Sequence, residues 1–144
     1  MQSWTGRSAL ENFHDKDVLE LGCGWECNLV RLATVAGNVI GLEIEQVYVA
    51  FSRILTKRER ISAPQIVLGA AENIPFRADV FDWILLWSAL RYMEIGEALR
   101  ECSRVLRPGG RALLSFVRSI CRLLSRKASF GLRAPNCCYI LSTR

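Results

Sequence analysis

The sequence predicts one α/β domain with a doubly wound, mainly parallel sheet of five or six strands and helices on both faces. Two observations carry this prediction. Short apolar runs of strand length alternate along the chain with segments whose apolar residues recur at helical spacing. That alternation is typical of parallel strands joined by crossover helices. A chain of 144 residues is also long enough to bury one sizeable core.

Each strand is predicted from a run rich in Val, Leu and Ile that is bounded by Gly, Pro or polar residues. The five runs are residues 17–23, 38–44, 65–70, 80–88 and 111–117. Helices are predicted at residues 27–36, 45–60 and 96–106. The third helix is expected to stop at "RPGG", because Pro108 cannot continue a helix and the glycines permit a turn into the next strand.

The composition argues against several classes of protein. No apolar run approaches the roughly 18 to 20 residues of a membrane helix, and the first residues lack the pattern of a secretory signal. We therefore expect a cytoplasmic protein with no membrane partner and with its six cysteines reduced. No metal site is predicted, since the cysteines lack the paired Cys-x-x-Cys spacing. His14 precedes the first strand and is interpreted as a surface residue.

Charge is distributed unevenly along the chain. The net charge is +5, and residues 111–144 contain arginine and lysine but no acidic residue. We expect a cofactor-binding domain at residues 1–118, followed at 119–144 by a basic tail that is an atypical or truncated end of the same domain. The tail lacks a dense basic block and is interpreted as a solvated end rather than a nucleic-acid-binding segment.

A Gly-x-Gly turn, Gly22 to Gly24, follows the first predicted strand. Neither glycine has a Cβ, so a ligand can approach the backbone closely, beyond the carboxyl end of a strand where doubly wound sheets bind ligands. Glu43 ends the second strand, where an acid can accept both hydroxyls of a ribose. These features favour an adenosine-containing cofactor. A nicotinamide dinucleotide stays open at this point, because Cys27 is small and stands where its fingerprint has a third small residue.

Three segments in order decide between these cofactors: "VLELGCG", "AENIPF" followed by "FD", and "RVLRPGG". From Val18 to Leu114 the chain resembles the class I methyltransferases that use S-adenosyl-L-methionine, especially the small-molecule group related to quinone and sterol methyltransferases. The resemblance implies the Rossmann-like methyltransferase fold, S-adenosyl-L-methionine as cofactor, and methyl transfer to a small-molecule acceptor by in-line displacement. Such a reaction depends mainly on positioning, and no catalytic side chain is assigned.

The resemblance also implies a set of site residues. Those expected to bind the cofactor are Gly22, Cys23, Gly24, Glu43, Ile44, Ala71, Glu72 and Trp87. The glycine turn would line the methionine part, Glu43 the ribose, and Ile44 one face of the adenine, with Ala71 and Glu72 at its edge. Trp87 would stand near the methyl group, or else belong only to the core. Arg91 and Tyr92 would grip an acidic or phenolic acceptor, or else lie on a solvated helix start.

Three departures from the family pattern keep a second hypothesis open. Glu26 stands where relatives have a third glycine, Ala70 stands where they have an acid before "AE", and only 27 residues follow Val117. A degenerate, non-catalytic methyltransferase-like module would account for all three. Nucleic acid is disfavoured as the acceptor, because neither an Asn/Asp-Pro-Pro-Tyr motif nor a Pro-Cys nucleophile follows the fourth strand.

The tail bears on the edge of the sheet. Residues 119–130 could form one helix and residues 137–143, "CCYILST", one strand. The apolar fifth strand would otherwise leave an open edge, which is a template for pairing with another chain. Two outcomes are therefore predicted as alternatives: the tail folds back as a sixth strand, or two chains form a homodimer through this edge.

Overall fold

The computed structural model describes residues 10–24, 27–59, 65–115 and 138–142. Within them the chain forms a six-stranded sheet with the strand order β3-β2-β1-β4-β5-β6. The strands are β1 Asp17–Leu21, β2 Asn38–Glu43, β3 Gln65–Leu68, β4 Phe81–Trp87, β5 Leu106–Ser115 and β6 Cys138–Ser142. The α-helices are α1 Cys27–Leu32, α2 Gln46–Glu59 and α3 Ile95–Val105, and short 3-10 turns occupy Glu11–Phe13 and Leu90–Tyr92.

The strand order places one topological switch point at the centre of the sheet. β1, β2 and β3 build one half outward, and the chain then returns so that β4 pairs with the other side of β1. All pairs from β3 to β5 are parallel, and Leu21 at the end of β1 lies opposite both Leu42 and Leu86. The predicted doubly wound fold is therefore confirmed. Ligands of such sheets bind in the crevice beyond the carboxyl ends of the strands at the switch point.

Both faces of the sheet are covered. Successive side chains of a strand point to opposite faces, and in β1 the neighbours Val18 and Leu19 are both fully buried. Leu19 belongs to one core cluster together with Ala98 and Cys102 of α3, whereas Val18 belongs to a second cluster with Leu29 of α1. The continuous apolar strands recognised in the sequence are thus the consequence of a sheet buried on two sides.

The "RPGG" segment differs from the prediction. β5 begins at Leu106, which pairs with Phe81, rather than at residue 111. The register then shifts, and pairing resumes only between Trp83 and Arg111. Gly109, at φ +77°, lies within this irregular stretch. The segment is therefore a bulged start of the strand and not a turn that precedes it.

An ion-pair cluster ties this bulge to the amino ends of the central strands. Arg107 Nη2 lies 2.8 Å from Asp17 Oδ2, and Arg107 Nη1 lies 3.0 Å from Asp82 Oδ2. Asp82 Oδ2 also accepts a hydrogen bond from the Asp17 N–H at 2.9 Å. Burial acts to raise the pKa of Asp82, but the Asp17 N–H and the Arg107 guanidinium together lower it below its usual value. The "FD" and "RPGG" motifs are thus in contact through the ion pair between Asp82 and Arg107.

β6 covers the edge of β5. It runs antiparallel to β5, with Arg111 opposite Ser142 and Ser115 opposite Cys138. Of the two predicted outcomes, the tail therefore forms a sixth strand, and a dimer through the β5 edge would require β6 to leave. The helix predicted at residues 119–130 lies outside the described residues. The boundary predicted at residue 118 does too, and it stays a prediction.

Deleting residues 119–144 is expected to turn a monomer into dimers or aggregates. The deletion removes β6 and exposes the backbone N–H and C=O groups of β5, whose apolar residues favour pairing with another chain. Size-exclusion chromatography of the full and shortened chains at equal concentration measures the effect. A shortened chain that stays monomeric with an unchanged melting temperature would show that β6 has no protective role.

Candidate functional site

The Gly-x-Gly turn lies directly at the switch point. Gly22 and Gly24 have φ values of +65° and +55°, in the left-handed region that favours glycine. A Cβ on Gly22 would lie 2.6 Å from the Cβ of Ala89, so the turn packs tightly against the chain that follows β4. A Cβ on Gly24 would meet no heavy atom within 4 Å. Gly22 is therefore required by packing, whereas the backbone at Gly24 borders open space that a ligand could enter.

Glu43 connects the end of β2 to this turn. Glu43 is only 6% exposed, and its carboxylate accepts three backbone hydrogen bonds. Oε2 accepts one from the Gly24 N–H at 2.9 Å, while Oε1 accepts one from Ile44 at 2.9 Å and one from Glu45 at 3.0 Å. The structure thus brings together the acid and the glycine turn that lie far apart in the sequence. We call this set of three hydrogen bonds the Glu43 clasp.

Cys23 lies between the two glycines but points into the core. It is buried and forms no disulfide, and a Cβ on Gly41 would lie 2.7 Å from its sulfur. Its side chain therefore packs under β2, so that only its backbone is available to a ligand in the turn. Glu26, the departure from the third glycine, lies outside the described residues.

Glu20 is a buried carboxylate next to the candidate site that sequence reasoning missed. It is a 2% exposed carboxylate within β1, two residues before the turn. Its Oε1 accepts a hydrogen bond of 2.7 Å from the side-chain amide of Asn28, in α1. The signal was present in the sequence as the one acid in the otherwise apolar run from Val18 to Leu21. A charged side chain in such a run is rarely buried without a partner.

The residues expected around the adenine lie at the ends of β2 and β3. Ile44 follows β2 and is 65% exposed, which leaves its side chain free to cover a planar ring. Ala71 instead belongs to the core, so its methyl group faces inward. Glu72 is half-buried, and its Oε1 accepts a hydrogen bond of 2.8 Å from the Glu94 N–H. The contact of Glu72 with Glu94 was not predicted.

Two residues of α3 hold the "AENIPF" segment in place. Arg104 donates to the carbonyl oxygens of Phe76 at 2.7 Å and Ile74 at 2.9 Å, and it pairs with Glu101 through two hydrogen bonds of 2.6 and 2.8 Å. Glu101 in turn accepts from the Ile74 N–H at 2.9 Å. We call these contacts the Arg104 clamp. The sequence showed the motifs "AENIPF" and "RVLRPGG". It did not show that Arg104, the first residue of "RVLRPGG", holds "AENIPF" in place.

The end of β4 forms the opposite wall of the switch point. Trp87 is the last residue of β4, pairs with Ser115 and is half-buried. Ser88 follows with φ +61°, which is an uncommon conformation for a residue other than glycine. This bend directs Ala89 against Gly22. Trp87 therefore lies at the carboxyl end of β4, as predicted. Its partial burial is compatible with a role in the core and with a role in the site.

Arg91 and Tyr92 lie on the 3-10 turn after β4. The turn is anchored by the buried Leu90, and the Arg91 guanidinium carbon lies 4.6 Å from the centre of the Tyr92 ring. Tyr92 is 77% exposed. Both side chains are therefore exposed to solvent near the end of β4. They lie on a 3-10 turn and not at the start of an α-helix.

The part of the chain that the structure describes contains no cluster of three or more His, Cys, Asp or Glu side chains suited to a metal ion. Among the described helices, none has both the length and the hydropathy needed to cross a bilayer.

A family model described as a methyltransferase domain matches residues 19–114. The chain belongs to this methyltransferase family. The match covers the whole region from β1 to β5, including the turn, the Glu43 clasp and the Arg104 clamp. S-adenosyl-L-methionine is the cofactor that membership of this family implies, and the open backbone at Gly24 beside a buried carboxylate fits it.

Individual relatives agree with the family assignment. The chain is 33% identical over 99 residues to the biotin biosynthesis bifunctional protein BioHC of Cellvibrio japonicus, covering 68% of this chain and 19% of that protein. It is 29% identical over 105 residues to the demethylmenaquinone methyltransferase of a Geobacillus species, covering 68% and 44% respectively. The chain thus spans less than half the length of these two relatives.

A solved structure supports the fold. A SAM-dependent methyltransferase from Aquifex aeolicus superposes with a TM-score of 0.77 and 15% identity, covering 94% of this chain and 86% of that one. At this identity the likeness concerns the fold alone.

Proposed function

We propose that this chain binds S-adenosyl-L-methionine across the carboxyl ends of β1, β2 and β4 and transfers its methyl group to a small-molecule acceptor. The observation that carries the proposal is the Glu43 clasp. The clasp holds the Glu43 carboxylate against the glycine turn through a hydrogen bond from the Gly24 N–H. This contact lies at the switch point, where this fold binds ligands. The alternative of a nicotinamide cofactor has no support from the family match.

The roles of the cofactor-binding residues follow from their positions. The backbone of Gly22, Cys23 and Gly24 would line the methionine part of the cofactor, and Glu43 would accept the ribose hydroxyls. Beyond the ribose, the exposed Ile44 would cover one face of the adenine. The segment containing Ala71 and Glu72 would border the edge of the adenine, held there by the Arg104 clamp. Trp87 would border the methyl group.

The chemistry needs little from the protein beyond geometry. When bound, S-adenosyl-L-methionine supplies a methyl group already activated by the sulfonium charge. The chain contributes by holding the donor and the acceptor in line, which can be worth roughly 7 to 11 kcal/mol of the barrier. Main-chain contacts at rigid strand ends suit this task, since they keep their places without ordering long side chains. No side chain among the described residues is assigned as a general base.

The acceptor is proposed to be acidic or phenolic. Arg91 presents a guanidinium over the exposed ring of Tyr92 beyond the end of β4, and a guanidinium recognises carboxylates and phenolates through charge-assisted hydrogen bonds. The relative from Geobacillus is named for demethylmenaquinone, which makes a reduced quinone the first compound to test. The cytoplasm is proposed as its location, with support from Cys23 and Cys102, which are buried and form no disulfide.

A non-catalytic module is the second candidate, and Ala70 favours it. Its side chain offers no carboxylate to an adenine amino group at the position where the resemblance expects one. A module of this kind would bind the cofactor weakly or not at all.

Incubation with methyl-labelled S-adenosyl-L-methionine and a panel of reduced quinones, phenols and carboxylic acids separates the two candidates. We expect label to move to one acceptor class, with one S-adenosylhomocysteine formed per methyl group. Cofactor bound without turnover on any acceptor would support the non-catalytic module instead.

Replacing Arg91 by alanine is expected to raise the KM for the acceptor roughly tenfold, because a hydrogen bond to a charged group is worth about 1.5 to 3 kcal/mol. The dissociation constant of the cofactor should not change. Arg77→Ala is the matched control, since Arg77 is also exposed but precedes β4. Equal KM values in the two variants would remove Arg91 from the acceptor site.

A further inference from the structure

A cavity of about 300 Å³ lies at the amino ends of β1 and β4. Lys16, Trp83, Gly109 and Arg111 contribute to its lining. The glycine turn follows the other end of β1, so the cavity and the cofactor site are separated by the length of this five-residue strand, on the order of 15 Å. None of the residues assigned above to the cofactor or the acceptor lines it.

The acidic group of the cavity is paired with an arginine. Asp82 lines the cavity, but its carboxylate pairs with Arg107 at 3.0 Å and accepts the Asp17 N–H at 2.9 Å. Arg107 is also paired with Asp17, and these contacts raise the pKa of Arg107 and lower that of Asp82. The three groups form an ionic unit of two carboxylates and one guanidinium, which leaves one negative charge without a matching cation inside the unit.

Two further cations of the lining, Lys16 and Arg111, form no such ion pair with a described acid, although Lys16 is near enough to help lower the pKa of Asp82. Within the described residues, neither Lys16 nor Arg111 forms an ion pair with an acidic side chain within 4 Å. Arg111 is placed instead over the Trp83 ring, with its guanidinium carbon 5.7 Å from the ring centre. That contact orients the guanidinium without neutralising it. The two cations outnumber the one negative charge left on the ionic unit, so the groups at the cavity carry a net positive charge.

We propose that this cavity binds a small molecule through a phosphate or carboxylate group, held by Lys16 and Arg111. The guanidinium supplies the forked donors that match such an oxyanion, and the ammonium supplies a point charge. Gly109 keeps the rim open, since a Cβ there would meet no heavy atom within 4 Å. This site is separate from the proposed methyl transfer and does not depend on it.

Inorganic phosphate is the probe for this site. Calorimetric titration of the full chain is expected to show one saturable site per chain, and phosphate should raise the melting temperature as a ligand of the native state does. Chloride at equal ionic strength should do neither. A parallel titration with malonate shows whether carboxylates share the site. Both measurements are repeated with S-adenosylhomocysteine present, and the phosphate affinity should not change.

The double variant Lys16→Gln/Arg111→Gln is expected to weaken phosphate binding at least tenfold. Arg77→Gln/Arg100→Gln is the matched control, because it removes two exposed arginines outside the cavity with the same change in net charge. Circular dichroism without phosphate shows whether both variants fold. If the double variant does not fold, the single variant Lys16→Gln is used in its place. Equal phosphate affinity in the test and control variants, or no saturable binding by the unmodified chain, would overturn the proposal.

Discussion

Replacing Arg104 by alanine is expected to lower the free energy of unfolding by about 3 kcal/mol. The substitution removes the four hydrogen bonds that Arg104 donates within the Arg104 clamp. It leaves the carbonyl oxygens of Ile74 and Phe76 without this donor, and it leaves the Glu101 carboxylate, whose side chain is only 14% exposed, without its cation. Unfolding in urea, followed by circular dichroism, measures the change.

Arg100→Ala is the matched control for this variant. Arg100 lies one turn earlier on α3, is well exposed and forms an ion pair with Glu97. Its effect on the pKa of Glu101 is smaller than that of Arg104. Exposed pairs of this kind contribute at most about 1 kcal/mol, so the control should be close to the unmodified chain. If the free energy of unfolding falls equally in both variants, Arg104 stabilises the protein only as any arginine of α3 does, and not through the clamp.

The clamp also predicts a dependence on pH. The Arg104 guanidinium, with a smaller contribution from the Ile74 N–H, lowers the pKa of Glu101 below its ordinary value of 4.5. A lowered carboxylate pKa contributes stability that is complete above the unfolded pKa and is lost as the pH falls through the folded pKa. The difference in stability between the unmodified chain and Arg104→Ala should therefore shrink below about pH 4.5. A difference that stays constant down to pH 3 would contradict the ionic role of Glu101.

Replacing Glu43 by alanine is expected to weaken binding of S-adenosyl-L-methionine tenfold or more. The change removes the proposed ribose ligand, for which each hydrogen bond to a charged group is worth about 1.5 to 3 kcal/mol. It also opens the Glu43 clasp, so that Gly24, Ile44 and Glu45 lose their shared acceptor. Calorimetry of the cofactor measures the dissociation constant, and Glu45→Ala, at the exposed neighbouring acid, is the control.

A cofactor analogue separates the two contributions of Glu43. An analogue without the ribose 2′-hydroxyl should bind the unmodified chain less well than the cofactor does. It should bind Glu43→Ala about as well as the cofactor binds that variant. This is the coupling that a direct contact produces in a double-mutant cycle. If the missing hydroxyl costs the same affinity in both proteins, Glu43 acts only through the clasp.

The strands could be predicted because their cause is local. Each central strand is buried on both faces, which leaves a short continuous apolar run such as that of β4 in the sequence. The place of the glycine turn followed from the topology of such a sheet. A sixth strand in the tail was also anticipated as one of two outcomes, since the open edge of β5 needed cover, whereas its antiparallel direction was not predicted.

The contacts that fix the site could not be predicted because they join distant parts of the chain. Arg104 reaches Ile74 across 30 positions, and Arg107 meets both Asp17 and Asp82. Nothing in the local pattern of α3 distinguishes Arg104 from Arg100. The inward direction of Cys23 depends on how closely α1 and β2 approach the turn, as the crowding at Gly41 shows.

Calorimetric titration of the purified chain with S-adenosylhomocysteine, the product form of the cofactor, shows whether the switch point binds the cofactor. We expect saturable binding of one molecule per chain, with a dissociation constant at least tenfold weaker for Glu43→Ala and unchanged for Glu45→Ala. A folded chain that shows neither heat of binding nor a rise in melting temperature would contradict the assignment of this site to the cofactor.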